Sequence, residues 1–303
     1  MDRRIVRSPL FYVGDKFKLL PEILEHFPKQ IDKFVEPFTG GGSVFLNVIA
    51  KEYYLNDIDT NIRDIHKVLI QYSGSPDKFF EKVASIIKKY GLSKSYVEDI
   101  VPPAYRKEWK KTYYAHFNRA AYEKLKRDYN SMKPTKRDPI LLYLLLIYGF
   151  NRMTRFNSRN QFNIPVGNVD FNKNVENSLK SYLDRVRNKE IIWSVVDFKP
   201  FLRSISLSKK DLVYLDPPYL ITASEYNKFW NEQREKALIN SMDALDKAGV
   251  RFAVSNVVEY RGKENLLFEK WMSDYNVFNV RSNYISYHDN QSKKIREVLV
   301  TNY

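Results

Sequence analysis

The chain has 303 residues, no cysteine and a formal net charge of +14, with a sequence pI near 9.5. This excludes a disulfide framework, a thiolate metal site and a cysteine nucleophile, while the length allows a core of about 200 residues plus an insert. Basic charge interleaved with 22 tyrosines fits a nucleic-acid partner, although solvated surface lysines give the same composition. His26, His66, His116 and His288 show no metal-ligand spacing, so no metal is expected and most of them read as surface or half-buried side chains. Met1-Asp2-Arg3-Arg4 leads into no apolar stretch, and the longest apolar run, 140–150, is too short to span a bilayer and reads as a buried helix. A cytoplasmic protein without membrane association is the expectation.

In chain order, Phe11-Tyr12-Val13-Gly14-Asp15-Lys16 precedes an amphipathic run over 17–27. Lys16 suits a ligand carboxylate and Tyr12 can pack beside it; a solvated loop lysine is the plainer alternative. A strand over 33–36 then enters Glu36-Pro37-Phe38-Thr39-Gly40-Gly41-Gly42-Ser43, a glycine-rich turn opening a helix. Such a turn lets backbone approach a ligand, with helix N-terminal donors aimed at it. Its spacing is neither the dinucleotide fingerprint nor a phosphate loop. A strand over 53–56 ends at Asp57, an acid placed to bind ribose hydroxyls, with Asp59 as the better cap for a helix starting near Asn61. Glycine turn plus acid means a nucleoside-bearing ligand without a pyrophosphate; S-adenosylmethionine matches.

Residues 58–190 break the strand–helix alternation, with helices expected near 76–90, 118–130 and 138–149. Strand signals return near 191–196, 212–215, 250–255, 275–280 and 296–301. The whole is an α/β sheet with a mainly helical insert.

The run 212–215 ends in Asp216-Pro217-Pro218-Tyr219, at the sheet edge where open α/β sheets bind ligands. An exocyclic amine on a purine is a poor nucleophile because its lone pair is delocalised. The Asp216 carboxylate and the Pro217 carbonyl can each accept one amine hydrogen, which localises that lone pair; Tyr219 can stack on the base. A simple strand-ending turn is the alternative.

The order of these segments resembles the Dam-like family of DNA adenine-N6 methyltransferases, across essentially the whole chain. Tyr12 to Lys16 resembles the family's W-x-G-G-K, with Asp15 in place of the second glycine. Glu36 to Gly42 resembles E-P-F-x-G-x-G, and Asn56-Asp57-Ile58-Asp59 its acidic ribose segment. Tyr148-Gly149-Phe150-Asn151, Arg155-Phe156-Asn157 and 161–167 resemble its F-N-G, R-x-N and F-N-x-P-x-G elements, with Arg152 where the family has glycine. The resemblance implies a Rossmann-like S-adenosylmethionine-dependent fold, with catalytic core 1–57 and 190–303 and a helical target-recognition insert over 58–189. It implies cofactor contacts at Tyr12, Gly14, Lys16, Glu36, Pro37, Phe38, Gly40, Gly42, Asp57, Ile58, Asp197, Phe198 and Asp216. It implies catalysis at Asp216, Pro217, Pro218 and Tyr219.

Candidates for DNA contact are Arg7, Asn151, Arg152, Arg155, Asn157, Arg159, Asn160, Lys293 and Lys294, with Arg296 beside the last two in an expected hairpin. The expected activity is methylation of an adenine flipped from double-stranded DNA, in a restriction–modification setting with a separately acting endonuclease, by a monomer or weak dimer. Cytosine-N4, RNA or protein-amide methylation and a catalytically silent DNA-binding protein are the alternatives.

Overall fold

The computed structural model describes residues 5–97, 100–222, 230–281 and 295–303. In chain order its elements are α1 (Leu20–Glu25), β1 (Lys33–Glu36), α2 (Ser43–Asn47), β2 (Glu52–Asn56), α3 (Thr60–Gln71), α4 (Pro76–Tyr90), α5 (Pro103–Glu108), α6 (Tyr113–Ser131), α7 (Pro139–Tyr148), α8 (Lys173–Val186), β3 (Glu190–Ser194), α9 (Phe198–Arg203), β4 (Leu212–Leu215), α10 (Glu232–Lys247), β5 (Arg251–Tyr260), β6 (Lys263–Glu264), α11 (Leu266–Met272), β7 (Asn276–Val280) and β8 (Ile295–Thr301).

The strands form one sheet in the order β3-β2-β1-β4-β5-β8-β7, with β6 paired to β5. The first five run parallel, and β8 lies antiparallel to both β5 and β7. Strand composition explains why both faces are covered. On β4, Leu212 and Tyr214 join one buried cluster while Val213 and Leu215 join another. Continuous apolar strands of this kind need helices on each side. The first face packs against α3, α7 and α8, the second against α9, α10 and α11.

From β1 the chain moves outward to β2 and β3, then returns to place β4 on the other flank of β1. The order reverses between β1 and β4, and a crevice opens outside their carboxyl ends. Glu36 ends one strand and Asp216 follows the other. Topology therefore brings together two motifs far apart in sequence.

Helix α7 is buried over Ile140 to Tyr148, as its unbroken apolar run requires. Asp59 caps α3 through Asn61 N. Three expectations are corrected. β5 runs to Tyr260 rather than 255, because a register shift between Val257 and Glu259 lets it continue along β8 and fold back onto β6. β3 stops at Ser194, short of 196. His66 is fully buried rather than at the surface: it lies on the apolar face of α3 with Ile62, Ile65 and Leu69.

Candidate functional site

A cleft of about 620 Å³ lies at the strand-order reversal, and both expected motifs line it. The size is that of an ordinary ligand site. Its floor is the glycine turn. Gly42 has φ 78°, and a Cβ there would stand 2.4 Å from the Phe45 ring and 2.9 Å from His66; a Cβ on Gly41 would stand 2.8 Å from that of Tyr12. No side chain fits at either place, so the backbone itself forms the cleft wall.

The turn is gripped from both sides. Gly40 N donates to Asp57 Oδ2 at 2.8 Å, and Asp59 N donates to Asp57 Oδ1 at 2.9 Å. Gly40 O lies 3.0 Å from His66 Nε2, and His66 Nδ1 lies 2.8 Å from the Tyr182 hydroxyl. A carbonyl only accepts, so Nε2 carries the proton and Nδ1 accepts from Tyr182. Burial holds His66 down to about 4 and pushes Asp57 up to about 6. Nothing local in the sequence marks His66 beyond its place in the apolar stripe of α3.

One wall is apolar and aromatic. Phe38, Phe198 and Trp230 pack together, with ring centroids 5.3 to 6.0 Å apart. Ile58 and Val196 border the same cleft although 69% and 44% exposed. Flat apolar walls of this kind suit a purine ring. Asp197 caps α9 through Lys199 N and pairs with Arg234 at 2.6 Å. Trp230 and Arg234 are residues that sequence reasoning missed; each is an isolated side chain with no motif around it. Tyr260 and Arg261 also reach the cleft, because β5 outruns its expected end.

The opposite wall holds the carboxylates. Lys16 is 4% exposed, and its Nζ lies 2.7 Å from Asp216 Oδ2, 3.9 Å from Glu297 Oε1 and 3.2 Å from Gly14 O. Lys16 thus extends toward the Asp-Pro-Pro-Tyr acid. The Tyr219 hydroxyl is 2.9 Å from Asp216 Oδ1 and 3.0 Å from Glu297 Oε1. Burial first, and Asp216 second, pushes the Glu36 carboxyl well above the usual range. Asp15 is half-buried, accepts from Phe17 N and lies 3.8 Å from the Arg7 guanidinium; burial raises its carboxyl above the usual range. Tyr12, Gly14, Pro37, Pro217 and Pro218 complete the lining.

The DNA candidates lie elsewhere. Residues 149–167 leave and rejoin the fold through bridges Gly149–Val166 and Phe156–Phe162. Asn151, Arg155, Asn157, Arg159 and Asn160 are exposed there. Asn157 Oδ1 accepts from Arg159 N and Gln161 N, both at 3.0 Å, and Arg155 Nε donates to Asn163 at 2.9 Å. Arg152 keeps a left-handed φ of 51°, the shape a glycine would take, and its guanidinium lies 3.9 Å over the Phe11 ring. Arg7 is half-exposed and faces the rings of Phe11 and Phe17. Arg296 pairs with Glu269 at 3.1 Å. Lys293 and Lys294 lie outside the described residues.

Comparison with known proteins follows the same arrangement. The chain is 35% identical over 312 residues to Modification methylase StsI of Streptococcus sanguinis, covering 99% of this chain and 43% of that protein. It is 33% identical to the Type II methyltransferase M.FokI of Planomicrobium okeanokoites, covering 98% and 43%. It is 25% identical to the DNA adenine methylase of Salmonella typhi, covering 97% and 94%. The chain thus spans less than half the length of the first two relatives. A family model described as D12 class N6 adenine-specific DNA methyltransferase matches residues 12–285, which takes in the glycine turn, the cleft acids and Asp216 to Tyr219. The chain belongs to that family.

Proposed function

We propose that the protein methylates the N6 amine of an adenine flipped out of double-stranded DNA, using S-adenosylmethionine. The observation that carries this reading is the meeting of the glycine turn and Asp216-Pro217-Pro218-Tyr219 in one cleft at the reversal of strand order. The cleft's residues fit the cofactor. Phe38, Phe198, Ile58 and Val196 offer a slot for its adenine, Asp57 an acid for its ribose, and Lys16 a cation for its methionine carboxylate. When bound, the cofactor supplies a methyl group activated on a sulfonium.

The chain's own residues prepare the acceptor. One Asp216 oxygen and the Pro217 carbonyl accept the two amine hydrogens, which draws the nitrogen lone pair out of the ring and stabilises the positive charge that grows there. Tyr219 stacks on the base, and its ring face favours the same charge. The exposed donors of the loop 151–160 face the duplex, and the insert over 58–189 is the target-recognition unit. The names of the modification-methylase relatives support a restriction–modification setting, with an endonuclease acting separately.

The test is methyl transfer from labelled S-adenosylmethionine to unmethylated DNA, followed by nucleoside digestion and mass spectrometry. N6-methyladenine is the expected product. N4-methylcytosine, or label entering RNA or protein alone, contradicts the reading.

A further inference from the structure

Glu297 sits on β8, between β5 and β7, opposite Val257 and Val280. Its neighbours Val298, Leu299 and Val300 are fully buried, and Glu297 itself is 2% exposed. A carboxylate in the middle of a sheet is costly unless charges and donors meet it. An apolar side chain would serve packing better at this place. What meets Glu297 is the reaction site: the Tyr219 hydroxyl at 3.0 Å and the Lys16 ammonium at 3.9 Å.

The Tyr219 hydroxyl has one hydrogen and, among the described residues, two carboxylates within reach, Asp216 at 2.9 Å and Glu297 at 3.0 Å. It donates to one at a time. Under the proposed function, on which this inference rests, Asp216 turns an oxygen to the adenine amine. Glu297 Oε1, already within 3.0 Å, offers the hydroxyl an acceptor that can hold the ring while Asp216 engages the base.

We infer that Glu297 is a positioning residue: it takes the Tyr219 hydroxyl when Asp216 engages the base, and so holds the aromatic ring while Asp216 works. Lys16 lies between the two carboxylates and balances their charge as the hydroxyl changes partner. Glu297 needs no contact with DNA or cofactor to act in this way.

Single-turnover methyl transfer to unmethylated DNA tests this through a cycle of Glu297→Gln, Tyr219→Phe and the double variant. Glutamine keeps the shape of the side chain; it weakens the charge-assisted bond to Tyr219 and the longer pairing with Lys16, and the cycle isolates the first. Glu297→Gln is expected to slow transfer about fivefold when Tyr219 is present and less than about 1.5-fold in the Tyr219→Phe background. Cofactor Kd should stay within about twofold in all four proteins, since Lys16 keeps its shorter pairing with Asp216 throughout. Equal slowing in both backgrounds, no slowing, or a loss confined to cofactor affinity overturns the inference. A wild-type protein that methylates no adenine fails at the proposed function itself and takes the inference with it.

Discussion

The carboxyl edge of the sheet and the loop over 149–167 differ in how their polar groups are held. At the sheet edge each group is fixed by a buried or half-buried partner: Gly40 by Asp57 and His66, Asp216 by Lys16, Tyr219 by Glu297. In the loop the side chains are exposed and bond within the loop itself, as Asn157 Oδ1 accepts from the backbone amides of Arg159 and Gln161. Chemistry at one atom demands groups that do not shift. Reading a duplex demands donors that meet a partner arriving from solvent. The comparison teaches that losses at the edge should be steep and specific to rate or cofactor, whereas losses in the loop should be shallow, salt-dependent and specific to sequence.

The largest effect is expected from Asp216→Ala. Methyl transfer should fall on the order of a thousandfold, while cofactor binding measured by calorimetry persists. Loss of cofactor binding as well would assign Asp216 to that subsite instead.

Next is Asp57→Ala, which removes the acceptor of Gly40 N and should raise cofactor Kd by roughly tenfold or more. Asp57 titrates near 6 in the folded protein against an ordinary value of 3.8. Cofactor affinity should therefore weaken as pH falls through about 6, and Asp57→Asn should flatten that dependence. The sign for stability is opposite. Between those two values the folded state binds a proton that the unfolded chain does not, so Asp57 adds stability as pH falls across the interval.

His66→Phe comes third. It leaves Gly40 O and Tyr182 without their imidazole partner and should cost about 1–3 kcal/mol in denaturant unfolding, with a several-fold weaker cofactor. The wild-type contribution has its own pH window. His66 is held near 4 against an ordinary 6.5, so its stabilisation is complete above 6.5 and is lost as pH falls toward 4. An unfolding free energy that is flat across this interval in wild type and variant alike would contradict the assignment.

In the loop, Arg155→Ala and Arg159→Ala should each weaken DNA binding only several-fold. A phosphate contact lowers the salt slope by about one, while a base contact relaxes the sequence motif and leaves the slope less altered. Smallest of all is Arg152→Gly. Relief of a left-handed backbone, about 1 kcal/mol, offsets loss of the stack on Phe11, also about 1 kcal/mol. The unfolding midpoint should barely move; a large drop would mean that the stack outweighs the strain.

How much of this was legible in the sequence follows the same division. Glu36 to Gly42 and Asp216 to Tyr219 could be read because their chemistry needs neighbouring residues, and neighbours in space are here neighbours in sequence. The strands over 33–36 and 212–215 were legible because short apolar runs end in rigid or glycine-rich turns. His66, Trp230 and Arg234 carried no such signal. Each is a lone side chain that a distant element brings to the cleft, and Glu297 in a run of valines and leucine reads as an ordinary strand residue. Tyr260 and Arg261 were missed because the irregular pairing that prolongs β5 depends on β8, not on local propensity. Arg152 shows the reverse case: the resemblance puts a glycine at this place, and the backbone here is left-handed although the residue is an arginine.

Single-molecule sequencing of unmethylated genomic DNA, treated separately with the wild type, Asp216→Ala and Arg155→Ala, tests the account most directly. The account predicts N6-methyladenine in one short motif for the wild type, none for Asp216→Ala, and sparser or less stringent N6 marks for Arg155→Ala. Marks on cytosine N4, or N6 marks that survive Asp216→Ala, would contradict it.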